Sequence, residues 1–259
     1  MKTISRACLV AITGTSLLLA GALSAAAEPK YGPAGDPVAA PLSREHAYLS
    51  SSSGVSSDYW RLSPFYVPQY NEYSCSAAAA VAAFNALLSQ GRERGDSDRN
   101  LTQAALLADP VNADWRDLLS PAGLKGRHGV TLEQLEAFLK RNLKPRGCRG
   151  CTVERREVSE TGEETREAFR KALAAGENDP HDVLLVHFVQ DELTKAPGGP
   201  FAHVSPVGGY DAATRRVLIL DVDRDWYEPY WVPERRLVEA MARRTREFGC
   251  GGWIRLRAP

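Results

Sequence analysis

The strongest structural signal in the chain is the segment CSAAAAVAAFNALLSQG, residues 75–91. Six alanines and one valine fill positions 77–83, and the residues FNALL follow directly. Such a segment is apolar on almost every side of a helix, which is typical of a buried helix, and its small side chains let neighbouring elements approach closely. We therefore predict a buried helix over residues 75–90 that is ended by Gly91, with Cys75 in its first turn.

Outward from this helix, the spacing of apolar residues predicts the other elements. Apolar residues at helical spacing predict helices at 101–108, 131–142, 164–174 and 233–246. Short runs rich in branched residues predict strands at 183–189, 202–210, 216–223 and 253–256. Helices in the first half and antiparallel strands in the second indicate an α+β fold, because a parallel fold would alternate the two. No feature divides residues 42–259, so we expect them to form a single domain.

The N-terminal segment has the organisation of a secretory signal peptide. Lys2 and Arg6 precede an apolar stretch at 8–23, and three alanines at 25–27 offer a cleavage site. The alternative is an uncleaved membrane anchor, but the apolar stretch is shorter than the about 20 residues that span a bilayer. Residues 28–41 are rich in Pro, Gly and Ala and predict an extended mature N-terminus. We expect a periplasmic or secreted protein.

The composition excludes some classes of function. The chain is 44% hydrophobic and 25% charged, as soluble globular proteins are. Lys and Arg number 32, Asp and Glu also 32, and removal of residues 1–27 leaves a net charge of −2. Proteins that bind nucleic acid concentrate Lys and Arg against the phosphates. We therefore expect no nucleic-acid partner, and no membrane contact after signal cleavage; the sequence does not specify an oligomeric state.

Four of the five cysteines lie beyond the predicted signal peptide, at positions 75, 148, 151 and 250. In an exported protein, Cys148, Cys151 and Cys250 are expected to be disulfide-bonded or plain structural thiols, with binding of a soft metal as the alternative. A zinc site needs four ligands, and no second C-x-x-C or close pair of histidines accompanies the one at 148–151. We therefore expect no structural metal site.

Cys75 is the candidate nucleophile. A thiol reacts as the thiolate, which a helix N-terminus stabilises through its unpaired N–H groups and its dipole. A lone cysteine is more often a small buried residue than a nucleophile. The residues around Cys75 must therefore distinguish the two roles. Gln69 lies six residues earlier, across a loop, where its side-chain amide and the backbone N–H of Cys75 can donate to a tetrahedral oxyanion.

His203 and Asp221 complete the candidate catalytic group. His203 begins one predicted strand and Asp221 ends the next, so that a turn at 211–215 brings both to the same end of a hairpin. A carboxylate beside the imidazole would fix its tautomer and support its positive charge, and the imidazolium would hold Cys75 as thiolate. A locally bonded histidine and a surface carboxylate are the ordinary alternatives, but the order Cys, His, Asp favours catalysis.

These residues lie in a segment that resembles the signature of the phytochelatin synthase family. The resemblance rests on HVSPVGGY at 203–210, LILDV at 218–222, Arg224, Tyr227, WVP at 231–233 and EAM at 239–241, and extends to Gln69, Cys75 and NAL at 85–87. It implies a papain-like fold in which Cys75 is the nucleophile, His203 the general acid and base, and Asp221 the orienting carboxylate. It also implies that Gln69 is an oxyanion donor. Substrate contacts are implied for Arg224, Tyr227 and Ser205.

The resemblance further implies a substrate, glutathione. In that family the cysteine attacks the carbonyl of the Cys–Gly bond, glycine leaves, and a γ-glutamylcysteinyl thioester remains. Attack by a second glutathione gives a phytochelatin, and attack by water gives γ-glutamylcysteine. No cofactor is required, and a cadmium or zinc thiolate of glutathione is a further form of the substrate.

The sequence also departs from the family. The usual pattern is Cys-Gly-x-Ala-Ser, whereas Ser76 follows Cys75 here and Ala79 stands at the position of the serine, which bears on substrate fit. The chain ends soon after the catalytic domain, without the cysteine-rich region of plant members. Short prokaryotic members resemble it in this and are better known for hydrolysis. We therefore expect hydrolysis, with weak transpeptidation.

Two other functions remain open. The first is a C39-like cysteine peptidase of the bacteriocin-processing type, which also has a glutamine six residues before its cysteine in a papain-like fold. The second is a non-catalytic periplasmic protein that binds metals or thiols, and this function would survive the loss of Cys75. Elsewhere, His187 is expected to be a buried structural residue, and the aromatic residues at 226–231 are expected to pack in the core or wall a cleft.

Overall fold

The computed structural model describes residues 39–50, 57–89, 95 and 98–259. The predicted signal peptide and most of the predicted extended N-terminus lie outside the described residues. The helices are α1 (Ala47–Ser50), α2 (Ser57–Leu62), α3 (Cys75–Leu88), α4 (Gln103–Ala108), α5 (Ala113–Leu118), α6 (Leu132–Leu143), α7 (Glu163–Asn178), α8 (Asp191–Thr194) and α9 (Glu234–Ala242). The strands are β1 (Ala40–Pro41), β2 (Thr152–Glu157), β3 (Asp182–Val189), β4 (Ala202–Asp211), β5 (Arg216–Ile219), β6 (Tyr230–Pro233) and β7 (Gly252–Arg257).

The seven strands in the described part of the chain form one antiparallel sheet in the order β1-β6-β5-β4-β3-β7-β2. Mostly helical structure before β3 and antiparallel strands from β3 onward confirm the predicted α+β class. Strand β2, which pairs with β7, was not predicted because its sequence TVERRE is polar and its side chains are largely exposed. At the other edge of the sheet, β1 pairs with β6, and Ala39 just before β1 is buried. The last residues of the predicted extended segment 28–41 therefore belong to the sheet.

Two apolar layers cover the two faces of the sheet. Strand β3 is buried along its whole length, and its side chains alternate between the layers. Val183 and Leu185 pack in the layer that contains α3 to α6, whereas Leu184 and Val186 pack in the layer that contains α7 and α9. Helix α3 is buried as predicted and lies against β4. The sheet therefore separates two cores.

A β-bulge at Gly208 sets the register between β4 and β5. Gly209 pairs with Leu218, but Val207 pairs with Ile219, so Gly208 is the extra residue. The N–H of Leu220 then donates to the carbonyl of Pro206 at 3.0 Å, which continues the shifted register beyond β5. In this register Asp221 lies opposite Ser205 and shares a sheet face with His203, two residues along β4. Without the bulge, Asp221 would point to the opposite face.

The cysteines beyond the predicted signal peptide form one disulfide and two buried thiols. Cys148 and Cys151 are bonded to each other, with Cα atoms 5.5 Å apart, just before β2. Cys75 and Cys250 are free and buried. Among the described residues, no three His, Cys, Asp or Glu side chains converge in an arrangement that could hold a metal ion. No helix in the described part of the chain combines the length and apolar character needed to cross a bilayer.

Candidate active site

Cys75 is the first residue of α3, and only 7% of its surface is exposed. The hydroxyl of Ser74 stabilises the preceding loop, because it accepts hydrogen bonds from the backbone N–H groups of Tyr70 and Asn71 at 3.0 and 3.1 Å. Among the described residues, none accepts a hydrogen bond from the backbone N–H of Cys75. The thiol therefore lies at a helix N-terminus beside a donor that an oxyanion can use.

His203 links Cys75 to Asp221. Its Nε2 donates to Asp221 Oδ1 at 2.8 Å, and Cys75 is near enough to raise the pKa of its imidazole. Since Nε2 is engaged by Asp221, Nδ1 is the nitrogen that remains for the thiol. Burial would lower the pKa of His203, but the charge of Asp221 and the hydrogen bonds with Asp221 and Cys75 raise this pKa well above its ordinary value. The raised pKa favours the cationic form of the imidazole.

Gln69 is tied to the segment that follows Asp221, because its backbone N–H donates to the carbonyl of Val222 at 2.8 Å. Its side-chain Oε1 is buried and has no hydrogen-bond partner among the described residues. Oε1 is an acceptor, so the group that could donate to a substrate oxygen is Nε2 of the same amide.

Arg224 lies three residues after Asp221 and is exposed. Its guanidinium stacks over the ring of Tyr66, 4.8 Å from the ring centroid, and the hydroxyl of Tyr66 donates to the backbone carbonyl of Asp221. In the part of the chain that is described, no carboxylate forms an ion pair with Arg224. The cation is thus placed beside the segment that contains Asp221 and remains available to an anionic ligand.

Comparison with known proteins identifies the family. A family model described as phytochelatin synthase matches residues 40–248. The chain belongs to the phytochelatin synthase family. Among curated relatives, glutathione gamma-glutamylcysteinyltransferase 3 of Lotus japonicus is 27% identical over 197 residues, which are 76% of this chain and 36% of the relative. Glutathione gamma-glutamylcysteinyltransferase 1 of Arabidopsis thaliana is 25% identical over 189 residues, 73% of this chain and 34% of the relative.

A third phytochelatin synthase relative, the glutathione gamma-glutamylcysteinyltransferase of Schizosaccharomyces pombe, is 30% identical over 115 residues, which are 44% of this chain and 25% of the relative. The chain thus spans about a third of the length of the first two relatives and less of the third. The family resemblance that was recognised in the signature residues is confirmed.

Two residues expected to contact substrate in this phytochelatin synthase family member lie instead in the interior. Ser205 is fully buried, and its hydroxyl accepts a hydrogen bond from the N–H of Val222 at 3.4 Å. Tyr227 is 5% exposed, and its hydroxyl donates to Thr194 Oγ1 at 3.3 Å. Both side chains are thus buried in the structure, and their contact with substrate stays a prediction.

Sequence reasoning missed two residues that touch Asp221. The side chain of Gln190 donates to Oδ2 at 2.9 Å, and the hydroxyl of Tyr230 donates to the same oxygen at 2.6 Å. Tyr230 belonged to an aromatic run that was expected to pack or to wall a cleft, and Gln190 is a polar residue directly after the buried strand β3. A polar residue at the end of an apolar strand was the available signal.

Proposed function

We propose that this protein cleaves the Cys–Gly peptide bond of glutathione through a thioester on Cys75, mainly by hydrolysis. The observation that carries the proposal is the position of His203, which is hydrogen-bonded to the buried Asp221 and has its pKa raised by the neighbouring Cys75. The names of the curated relatives support glutathione as the substrate. We further propose a papain-like fold, on the ground that the cysteine begins a buried helix packed against the antiparallel sheet that carries His203.

In the first step, the Cys75 thiolate attacks the carbonyl carbon of the Cys–Gly bond, and the carbonyl electrons move onto oxygen. The backbone N–H of Cys75 and the side-chain amide of Gln69 donate to this oxyanion. As the C–N bond breaks, His203 gives its Nδ1 proton to the leaving nitrogen of glycine. The products are free glycine and a γ-glutamylcysteinyl thioester.

In the second step, His203 is neutral and takes a proton from water, whose oxygen attacks the thioester carbonyl. The C–S bond breaks, the thiolate returns, and γ-glutamylcysteine leaves. The amine of a second glutathione is the alternative acceptor and gives a phytochelatin, as a minor product. Arg224 is available to pair with a carboxylate of the substrate, which carries one at each end.

The rate of glycine release is expected to follow a bell-shaped pH profile, because the thiolate and the imidazolium must be present together. The hydrogen bonds and charges around His203 raise its pKa well above the ordinary value. The alkaline limb is therefore expected well above about pH 6.5, the ordinary pKa of histidine. A flat profile from about pH 5 to 9, or an alkaline limb near pH 6.5, would contradict the pairing.

The test is incubation of the protein from residue 28 onward with reduced glutathione, with and without cadmium or zinc, followed by mass analysis. We expect glycine and γ-glutamylcysteine from the wild type, and neither glycine nor thioester from Cys75→Ala. Cys250→Ala, which removes the other buried free thiol, is the matched control and is expected to keep full activity. Asp221→Asn is expected to lower glycine release by about 10³- to 10⁴-fold.

Other outcomes would replace the proposal. Cleavage of a leader peptide without glycine release would favour the C39-like peptidase. Binding of thiols or metals by Cys75→Ala as strong as by the wild type, with no glycine from either, would favour a non-catalytic binder. Phytochelatins as the main product would overturn the preference for hydrolysis.

We also propose that the protein is exported to the periplasm or the medium. The pattern of residues 1–27 supports this, and so does the disulfide between Cys148 and Cys151, because disulfides persist in oxidising compartments. Mass analysis of fractionated cells is expected to find a chain that begins near Glu28 outside the cytoplasm. A chain that keeps Met1 and stays in the cytoplasm would contradict export.

A further inference from the structure

Asp221 is fully buried and accepts four hydrogen bonds, one of which comes from His203. Oδ1 accepts from His203 Nε2 at 2.8 Å and from the backbone N–H of Asp223 at 2.9 Å. Oδ2 accepts from Gln190 Nε2 at 2.9 Å and from the hydroxyl of Tyr230 at 2.6 Å. Each oxygen has two donors, so the fully buried carboxylate cannot rotate without losing hydrogen bonds.

The two donors to Oδ2 are themselves held in place. Gln190 is 5% exposed and lies just before α8; its backbone N–H donates to the carbonyl of Phe201 at 2.9 Å, two residues before His203. Tyr230 is fully buried in β6, where it pairs with Ile219 of β5. The donors therefore come from two separate elements, and both are anchored to the strands that carry the catalytic residues.

A buried carboxylate stays ionised only where hydrogen bonds or opposite charges offset the loss of water. Burial would raise the pKa of Asp221, but the charge of His203 and the hydrogen bonds from His203, Tyr230 and Gln190 lower it. The titratable groups that face His203 are Asp221, Cys75 and, on the neighbouring strand, His187. The charge on Asp221 is thus the main support of the imidazolium.

We propose that Gln190 and Tyr230 are positioning residues, which by donating to Oδ2 hold Asp221 in the orientation in which Oδ1 binds His203 and keeps it protonated beside Cys75. This inference rests on the proposed function in treating His203 and Cys75 as the acyl-transfer pair. It predicts a change at His203 that can be measured without any substrate. A purely structural role for the two residues would leave His203 unchanged in the folded protein.

The test compares Tyr230→Phe and Gln190→Met with the wild type. Each variant removes one donor to Oδ2 and keeps the size of the side chain. The titration midpoint of His203, followed by ring-nitrogen NMR in the substrate-free protein, is expected to fall by about half a pH unit or more, because the imidazolium loses a fixed carboxylate. The kcat for glycine release is expected to fall about 10-fold, as for other residues that orient a catalytic group. KM is expected to change less than about 2-fold, since both side chains are buried and donate to Asp221.

Tyr210→Phe is the matched control. The hydroxyl of Tyr210 also donates to a buried carboxylate at 2.6 Å, but the acceptor is Glu234 rather than Asp221. The Tyr210→Phe variant is expected to lose about as much stability as Tyr230→Phe. It is expected to keep the titration midpoint of His203 and the kcat of the wild type.

A His203 midpoint equal to that of the wild type in a folded Tyr230→Phe or Gln190→Met would overturn the inference, and so would an equal shift in Tyr210→Phe. The two proposals fail separately. A wild type that releases no glycine, together with a lowered His203 midpoint in the variants, would refute the proposed function and leave the positioning role supported.

Discussion

Two buried histidines on neighbouring strands have pKa values that are shifted in opposite directions. His203 lies on β4 beside Asp221, and its pKa is raised by that charge and the hydrogen bonds, against the effect of burial. His187 lies on β3 and donates from Nε2 to the carbonyl of Val130 at 3.1 Å. Burial, together with the charge of His203, lowers the pKa of His187 to about 4. One residue type therefore serves as a cation in one position and as a neutral donor in the other.

We predict that His187 makes the protein less stable in acid. Its pKa is about 4 in the folded state and about 6.5 in the unfolded chain. Between these values the unfolded chain binds a proton that the folded protein does not, so stability falls as the pH decreases from 6.5 towards 4. The full effect is about 3 kcal/mol. The variant His187→Gln keeps an N–H donor for Val130 and has no titrating group at this position. We therefore expect it to lose less stability than the wild type does between about pH 6.5 and pH 4.

Urea denaturation at pH 7 and at pH 4.5 measures the effect. His181→Gln, at an exposed histidine, is the control and is expected to show the same acid-induced loss as the wild type. Equal losses in His187→Gln and the wild type would show that His187 does not contribute.

At the scale of elements, the hairpin of β4 and β5 sets the geometry of the site. The bulge at Gly208 shifts the register by one residue, which places Asp221 on the face of His203. The same glycine allows Leu220 to approach closely: a Cβ at position 208 would lie 2.7 Å from Cγ and Cδ2 of Leu220. Since Leu220 precedes Asp221, this contact couples the backbone of β4 to the Asp221 carboxylate.

Gly208→Ala is therefore expected to displace Leu220 and, with it, Asp221. Overpacking of this kind costs about 1–3 kcal/mol of stability, and glycine release is expected to fall in the folded variant. In Gly208→Ala/Leu220→Ala the clash is removed, so the stability loss is expected to be smaller than the sum of the single losses by at least about 0.5 kcal/mol. Gly95→Ala, where a Cβ meets nothing within 4 Å, is the control. Additive losses in the double variant would contradict the coupling.

At the scale of the whole molecule, stability comes from the two apolar layers on either side of the sheet. The disulfide lies at the periphery, between α6 and the edge strand β2. Its cysteines are three positions apart, so the bond removes little freedom from the unfolded chain.

The double variant Cys148→Ser/Cys151→Ser is expected to lose about 2 kcal/mol or less and to release glycine at the rate of the wild type. Urea denaturation of this variant and of the wild type, with and without reductant, measures the effect. A variant that fails to fold, or a wild type that unfolds on reduction, would show that the disulfide carries much more of the stability.

Local pattern was sufficient to predict much of this protein. The apolar helix with Cys75 at its start, the strands β3 to β5, and the common end of the hairpin for His203 and Asp221 follow from periodicity and short chain separation. Helix α7 extends beyond its predicted end at residue 174, to Asn178, and the polar strand β2 had no alternation to reveal it. The end of α7 and the formation of β2 both depend on contacts with residues that are distant in sequence.

The sequence by itself determined which residues can carry the chemistry, because residue type and spacing along the chain set the reach of a thiol, an imidazole and a carboxylate. Only the tertiary structure decided which face Asp221 occupies, which donors hold it, and that Ser205 and Tyr227 lie in the interior. The physical reason is that a bulge, a buried hydrogen bond and the burial of a side chain are all set by packing between elements. A residue's own sequence neighbours do not specify that packing.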